Sequence, residues 1–340
     1  MEYKLNKYIH KINTDPKSIY LNKIAKYYDS SIPIQVGGLR LNDFDSLVKF
    51  LKQAYDKAPT ETSNKYLVIL YGPPASGKSI SRYIASYWIQ ELFKETESIE
   101  NIYKSFIDTG IDEITYDIET PTGKRIIDLL KENIDNKLGN DKSIENAKKN
   151  ISLLASSSWD IYRTNRPDYV SELLYYFAIF LNKNIFLETT GSSIPYLERI
   201  INLLSFYGYI PIVVYPFIND VSILYNRSIQ RGLKEGRFLR CDTSFGLASQ
   251  MQISLANYPK IKNIVSQYKN YLIYQYNSNF SNEITKNIYS FNFSSLGDYM
   301  LEFKCKIETI DDKITQNNII DITSNNYDKA LNLNLNCGEN

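Results

Sequence analysis

The sequence predicts an α/β fold, an open and mainly parallel sheet with helices on both faces. Three observations predict it. The apolar run Tyr66-Leu67-Val68-Ile69-Leu70-Tyr71 passes directly into the turn Gly72-Pro73-Pro74-Ala75-Ser76-Gly77-Lys78-Ser79 and then into a helical stretch from Ser79 to Phe93. Two further apolar runs, 184–187 and 209–215, alternate with helix-length segments through short loops, an order that requires parallel strands joined by right-handed crossovers. The first of these closes on Glu188, where a buried strand delivers a carboxylate to the carboxyl edge of a sheet.

Taken in order, residues 1–60 read as an N-terminal helical extension, with helices near 16–28 and 41–57. In the second, Asn42 suits the N-cap, and Phe44, Leu47, Val48, Leu51 and Tyr55 recur at helical spacing. A partly disordered leader is the other reading of residues 1–35. Residues 61–295 form the main domain. Within it, 102–108 reads as a second strand, and 126–165 as a polar helical insertion whose charge-rich part, 131–150, is a solvated face. Pro167 suits the first turn of a helix reaching about Leu181. Helices at 194–206 and up to about 269 follow, with a last strand at 271–276. From 296 the pattern weakens, and the Asn-rich residues beyond about 311 read as a partly disordered tail that buries too little apolar surface to offset its ordering entropy.

The composition closes off several classes. Lys and Arg total 39 against 38 acidic residues, so no basic surplus indicates nucleic acid or an anionic membrane. The single histidine, His10, lies in the N-terminal extension, leaving acid–base chemistry to carboxylates, lysine or arginine. Cys241, Cys305 and Cys337 are scattered and odd in number, which argues for a reducing compartment and against a disulfide framework. No apolar run approaches a membrane span, and a soluble, cytoplasmic protein is expected.

The chemistry gathers around residues 72–79. The pattern G-x-x-x-x-G-K-[ST] marks a phosphate loop, and with the strand before it and the helix after it predicts a P-loop NTPase fold. Its backbone N–H groups would cradle the phosphates of ATP or GTP, Lys78 would reach the β/γ-phosphates, and the Ser79 hydroxyl would sit on Mg²⁺. Gly72, Pro73, Pro74, Ala75, Ser76, Gly77, Lys78, Ser79 and Ile80 are therefore the expected nucleotide-binding residues. Asp108 and Asp112 follow the second strand and are candidate general bases for an acceptor hydroxyl; either also suits a helix cap. Glu188 ends a Walker-B-like strand and is expected near Mg²⁺ or the acceptor, with Thr190 and Asp108 on the acceptor side. Arg227, Arg231, Arg237 and Arg240 fall within fourteen residues that hold two glycines, a composition suited to a lid that clamps a transferring phosphoryl group. Arg163 and Arg166 have the reach to meet an anionic acceptor, though surface positions are the simpler reading.

In this order, GPPASGKS, GIDEI, a strand ending in ETTG, RSIQRGLKEGRFLR and a final strand ending in Asn277-Ser278 resemble the zeta-toxin-like group of P-loop kinases across about Leu67–Ser278. The resemblance implies ATP or GTP with Mg²⁺ and transfer of the γ-phosphate to a hydroxyl. In the toxins of that group the acceptor is a UDP-activated amino sugar, and a partner protein covers the nucleotide site. By the same resemblance Asp112 would act as base, Lys78 and Ser79 would hold phosphates and metal, and Glu188 with Thr190 would face the acceptor. Arg231 and Arg237 would stabilise the transferred group, with Arg227 and Arg240 also in range by spacing. A kinase for a small molecule or nucleotide sugar is the leading expectation. A polynucleotide or nucleoside kinase and a non-catalytic nucleotide-binding module are the alternatives, and the sequence indicates no particular protein partner.

Overall fold

The computed structural model describes short strands at 35–36 and 39–40 and residues 53–117, 124–165, 171, 174–175, 177–179, 181–242, 245–280, 299–311 and 314–337. One seven-stranded sheet organises them: β1 (Lys65–Tyr71), β2 (Phe106–Asp108), β3 (Asn184–Thr189), β4 (Tyr209–Phe217), β5 (Tyr271–Asn277), β6 (Met300–Asp311) and β7 (Ile314–Thr323). The strand order is β2-β3-β1-β4-β5-β6-β7. The first five strands are parallel, and the last two add antiparallel. The helices are α1 (Lys78–Phe93), α2 (Ile99–Tyr103), α3 (Ile111–Asp117), α4 (Ile126–Leu138), α5 (Ile144–Lys149), α6 (Ile151–Asn165), α7 (Ile194–Phe206), α8 (Val221–Glu235), α9 (Leu247–Val265) and α10 (Tyr327–Ala330). Further helical residues lie between 171 and 181.

The side-chain period of two along β1 builds both halves of the core. Leu67, Ile69 and Tyr71 pack with Ile200 and Leu204 of α7 and with Tyr258 and Ile261 of α9. Tyr66, Val68 and Leu70 pack on the opposite face with Ile84, Ala85 and Ile89 of α1. In a third cluster Ile134 of α4 and Leu154 of α6 meet Leu224, Tyr225 and Ile229 of α8, with Phe238 and Met251, and Ala75 packs against it. Because β1 lies between β3 and β4 while the chain after β1 runs to β2, the crossovers diverge at the carboxyl end of β1. In open α/β sheets a ligand crevice forms at such a point.

Several expectations change. Of the predicted helix at 41–57, residues 53–57 are the part described and are helical, and Ala54 and Tyr55 pack on the core. The other extension helix, Asn42 and Pro167 lie outside the described residues. The predicted strand at 102–108 divides, because Ser98 caps α2 by accepting from Asn101 N and Ile102 is buried on that helix, leaving three residues for β2. The insertion at 126–165 is amphipathic rather than wholly solvated, with Ile126, Ile127, Leu130, Ile134 and Leu138 buried along one side of α4.

The largest correction concerns the tail. β6 pairs with β5 in the same sheet, so the boundary expected at 295 does not end the domain. Leu301, Phe303 and Cys305 are buried on β6, Phe303 and Cys305 in the cluster on the α1 face and Leu301 in the cluster on the other, an apolar spacing of two that the asparagines of the neighbouring β7 mask in composition. Cys241 and Cys337, 96 residues apart, form a disulfide, against the expectation drawn from their scatter. Spacing in sequence cannot show which cysteines a fold brings together. Among the described residues no helix is long and apolar enough to cross a membrane.

Candidate active site

The predicted phosphate loop leaves β1 at its buried end. Gly72 N continues the ladder to β3 by donating to Thr189 O at 3.0 Å. Gly72 and Gly77 take φ of 130° and 100°, a region that favours glycine. A Cβ on Gly72 would stand 3.1 Å from the Tyr215 ring, and one on Gly77 would stand 3.0 Å from Ser278 Oγ. Ser278 Oγ in turn donates to Ser76 O at 2.6 Å, tying the loop to the end of β5. Pro74 and Ala75 are half-buried, Ile80 packs toward the core, and Ser79 is exposed in the first turn of α1. The first N–H groups of a helix have no partner within it and carry partial positive charge, and α1 has no acidic residue in its first turn. Ser76 Oγ is fully buried without a hydrogen-bond partner.

Lys78 is buried at the start of α1. Its Nζ donates to Gly72 O at 2.9 Å and Pro73 O at 2.8 Å and lies 3.4 Å from Glu188 Oε1. Burial pushes its pKa down to about 8, with Glu188 opposing the fall. Burial also works against the charge on Glu188, but the cations Lys78, Arg82 and Arg231 outweigh it and hold this carboxyl below its ordinary range. The register explains the meeting: Glu188 sits opposite Leu70, one residue before β1 ends.

Asp112 lies in the first turn of α3 and is nearly buried. Arg231 Nη2 reaches its Oδ2 at 2.9 Å, and Arg237 Nη1 binds Oδ1. Arg231 comes from α8, where Glu235 one turn on accepts from its Nε at 2.6 Å. Arg237 follows the C-cap Gly236, and its guanidinium lies over the Tyr162 ring, 5.0 Å from the centroid. Burial lowers Arg237 to about 10, far enough above neutrality to keep it a cation. The fold thus joins the predicted base to two of the four predicted lid arginines.

The other two go elsewhere. Arg227 Nη2 donates to Ser278 O at 3.0 Å, joining α8 to the end of β5. Arg240 is exposed, and its carbonyl accepts from Leu247 N. Arg163 is also exposed, and Arg166 lies outside the described residues. Thr190 gives its carbonyl to Ser254 Oγ at 2.7 Å and its hydroxyl to Ser192 Oγ at 3.3 Å, so it lies beside Glu188 with its polar atoms used within the fold.

Arg82 is the residue that sequence reasoning missed. Four residues after Lys78 and 3% exposed, it donates from Nε to Asp108 Oδ2 at 2.7 Å. Its Nη2 lies 3.7 Å from Glu188 Oε2 and 3.8 Å from Glu113 Oε1. Asp108 Oδ1 also accepts from Gly110 N at 2.8 Å, so Asp108 is held away from Asp112 and serves Arg82. Burial raises the pKa of Asp108 and of Glu113, with Arg82 working against the rise in both. The available signal was Arg82 standing among Ile84, Ala85 and Ile89 on the buried side of α1, where a charge requires a partner.

Among the described residues no group of three or more His, Cys, Asp or Glu is placed to hold a metal ion. The glycine cradle, the unpartnered Ser76 Oγ and the exposed Ser79 hydroxyl fit a phosphate chain with its own Mg²⁺, which needs few protein ligands. No family model matches the chain. A solved structure from work on the molecular and structural characterization of the PezAT chromosomal toxin-antitoxin system of the human pathogen Streptococcus pneumoniae is similar to 68% of this chain and to 76% of that chain, at 14% identity and a TM-score of 0.41. A likeness at that level leaves the reading of the site to its own residues.

Proposed function

We propose that the chain is an ATP- or GTP-dependent kinase of the P-loop type, transferring the γ-phosphate to a hydroxyl of a small molecule or nucleotide sugar. The observation that carries this reading is the pairing of Asp112 with Arg231 and Arg237 beside a loop whose Lys78 is paired with Glu188. A nucleotide with Mg²⁺ would supply the phosphoryl group and neutralise its oxygens. Residues 72–79 would hold its phosphates, with Lys78 exchanging the carbonyls of Gly72 and Pro73 for phosphate oxygens and Ser79 meeting the metal. Asp112 would accept the proton of the acceptor hydroxyl. For that its two arginines must turn toward the transferring group, where their charge stabilises the transition state. Their pairing with Asp112 therefore has to break before transfer. Arg82 would hold Asp108 and Glu188 in place and so position the acceptor-side carboxylate.

The test is a labelled-ATP screen with Mg²⁺ and a metabolite extract that includes UDP-sugars and nucleosides. Lys78→Ala is expected to abolish labelling. Asp112→Asn is expected to slow transfer by at least about 100-fold while nucleotide binding stays within about twofold. A screen that labels no acceptor refutes the kinase reading.

A further inference from the structure

The C-terminal segment after α10 is built onto the predicted lid. Its sequence, Leu331-Asn332-Leu333-Asn334-Leu335-Asn336-Cys337, alternates apolar and polar residues. The odd positions are half-buried and the asparagines exposed. Leu333, Leu335 and Cys337 pack on the cluster formed by Leu224, Tyr225 and Ile229 of α8 with Phe238 and Cys241. At the N-terminus of α8, Asn334 O accepts from Val221 N at 2.9 Å and Asn334 N donates to Asn219 O at 2.7 Å. Three residues on, Cys337 is bonded to Cys241, four residues after Arg237, and the Cys241 carbonyl accepts from Ala248 N at the start of α9. One short strap therefore joins the N-terminus of α8 to the segment that follows it, and in sequence the arginines that occupy Asp112 lie between these two points.

We propose that the Cys241–Cys337 disulfide is a redox clasp that holds the lid arginines on Asp112. The strap buries three side chains only in part, so the covalent bond supplies the hold at the arginine end. Reduction needs a dithiol. Its thiolate attacks Cys337 Sγ at the half-buried end, and the Cys241 sulfur leaves and takes a proton. The second thiol of the reductant then resolves the mixed disulfide, leaving two cysteine thiols and one oxidised dithiol. Cys305 is buried in β6, and burial raises its thiol pKa to about 12, so it does not compete as a thiolate. With the clasp open, the segment from the end of α8 to Cys241 loses its tether to the strap and is free to carry Arg237, and with it the Arg231 side chain, off Asp112. The effect on turnover rests on the kinase reading, while the effect on the lid does not.

Hydrogen exchange of the full chain, followed by mass spectrometry before and after treatment with dithiothreitol, reads the lid directly. Exchange across 221–241 is expected to rise by at least about fivefold on reduction, and Cys337→Ser in oxidising buffer is expected to match reduced wild type. Should that variant fail to fold, the wild-type comparison alone decides. Turnover is expected to rise by at least about threefold on reduction of wild type and not to respond in Cys337→Ser. A non-reducing peptide map without the 241–337 linkage, or equal exchange in both redox states, overturns the clasp. Faster exchange with unchanged turnover overturns it as a control on catalysis. Faster exchange with no labelled acceptor in either state supports the clasp and refutes the kinase reading.

Discussion

Replacing Glu188 by Gln removes the carboxylate 3.4 Å from Lys78 Nζ. Across that gap, at an effective dielectric of about 20, two unit charges attract by about 5 kcal/mol. Glu188 is 19% exposed and Lys78 keeps both carbonyl acceptors. Screening and these remaining bonds reduce the lost support to about 2 kcal/mol, equivalent to about 1.5 pH units at about 1.36 kcal/mol each. Burial has already pushed Lys78 down to about 8, so the variant titrates below neutrality. If the ammonium form is the one that receives phosphates, wild-type affinity for a non-hydrolysable ATP analogue falls as pH rises through about 8, and in Glu188→Gln the fall begins about 1.5 units lower. Isothermal calorimetry with Mg²⁺ from about pH 6 to about pH 9 spans both transitions. Titration of the nucleotide itself cancels in the comparison of the two proteins. Two superimposable pH profiles would refute the claim that Glu188 maintains the charge on Lys78.

Two further substitutions probe the frame of the site. Gly77→Ala forces a side chain into φ 100° with its Cβ 3.0 Å from Ser278 Oγ, costing about 1–3 kcal/mol. Its melting temperature is expected to fall by several degrees, and a shift under about 1 °C would mean that the loop relaxes without strain. Arg82→Met leaves Asp108 and Glu188 without their shared buried cation, a loss of about 3–5 kcal/mol in urea unfolding at neutral pH. Burial already raises the carboxyl pKa of Asp108, so its contribution to stability is fully present below the unfolded value and is lost as pH rises through the folded one. Removing Arg82 moves the folded value higher, and the deficit is expected to be largest at neutral pH, to shrink toward about pH 5, and to be partly restored in Arg82→Lys. An equal deficit at both pH values would show that packing, rather than charge, is what Arg82 supplies.

The parallel half of the sheet was legible because its strands are buried on both faces and so read as unbroken apolar runs. The run at 66–71 became β1 with every side chain out of solvent, and 209–215 lies within β4. The predicted base met two of its expected arginines because α8 presents Arg231 to it and the turn at Gly236 brings Arg237 beside it. Spacing alone could not select Arg231 and Arg237 over Arg227 and Arg240, since the choice depends on which side of α8 faces Asp112. Arg82 escaped notice for a related reason. On a helix a lone arginine usually extends into water, and only the neighbouring ends of β2 and β3 turn it into a buried hub. β6, β7 and the strap were hidden by composition, although Leu333, Leu335 and Cys337 carry a plain alternation toward α8.

The third apolar cluster divides labour within the molecule. Arg231 rides on α8, whose buried side chains pack with α4 and α6, and Arg237 on the turn after it, whereas Lys78 stands at the start of α1 and Glu188 near the end of β3. Helix α9 is the joint, giving Leu247 and Met251 to the lid cluster and Tyr258 and Ile261 to the sheet. Substitutions among Ile134, Leu154, Leu224 and Ile229 therefore alter how the lid sits and reach the glycine loop through Ala75, which packs on the same cluster. Divergence among descendants of this protein is therefore expected to gather in 126–165 and 221–241 before it reaches the buried strand at 66–71.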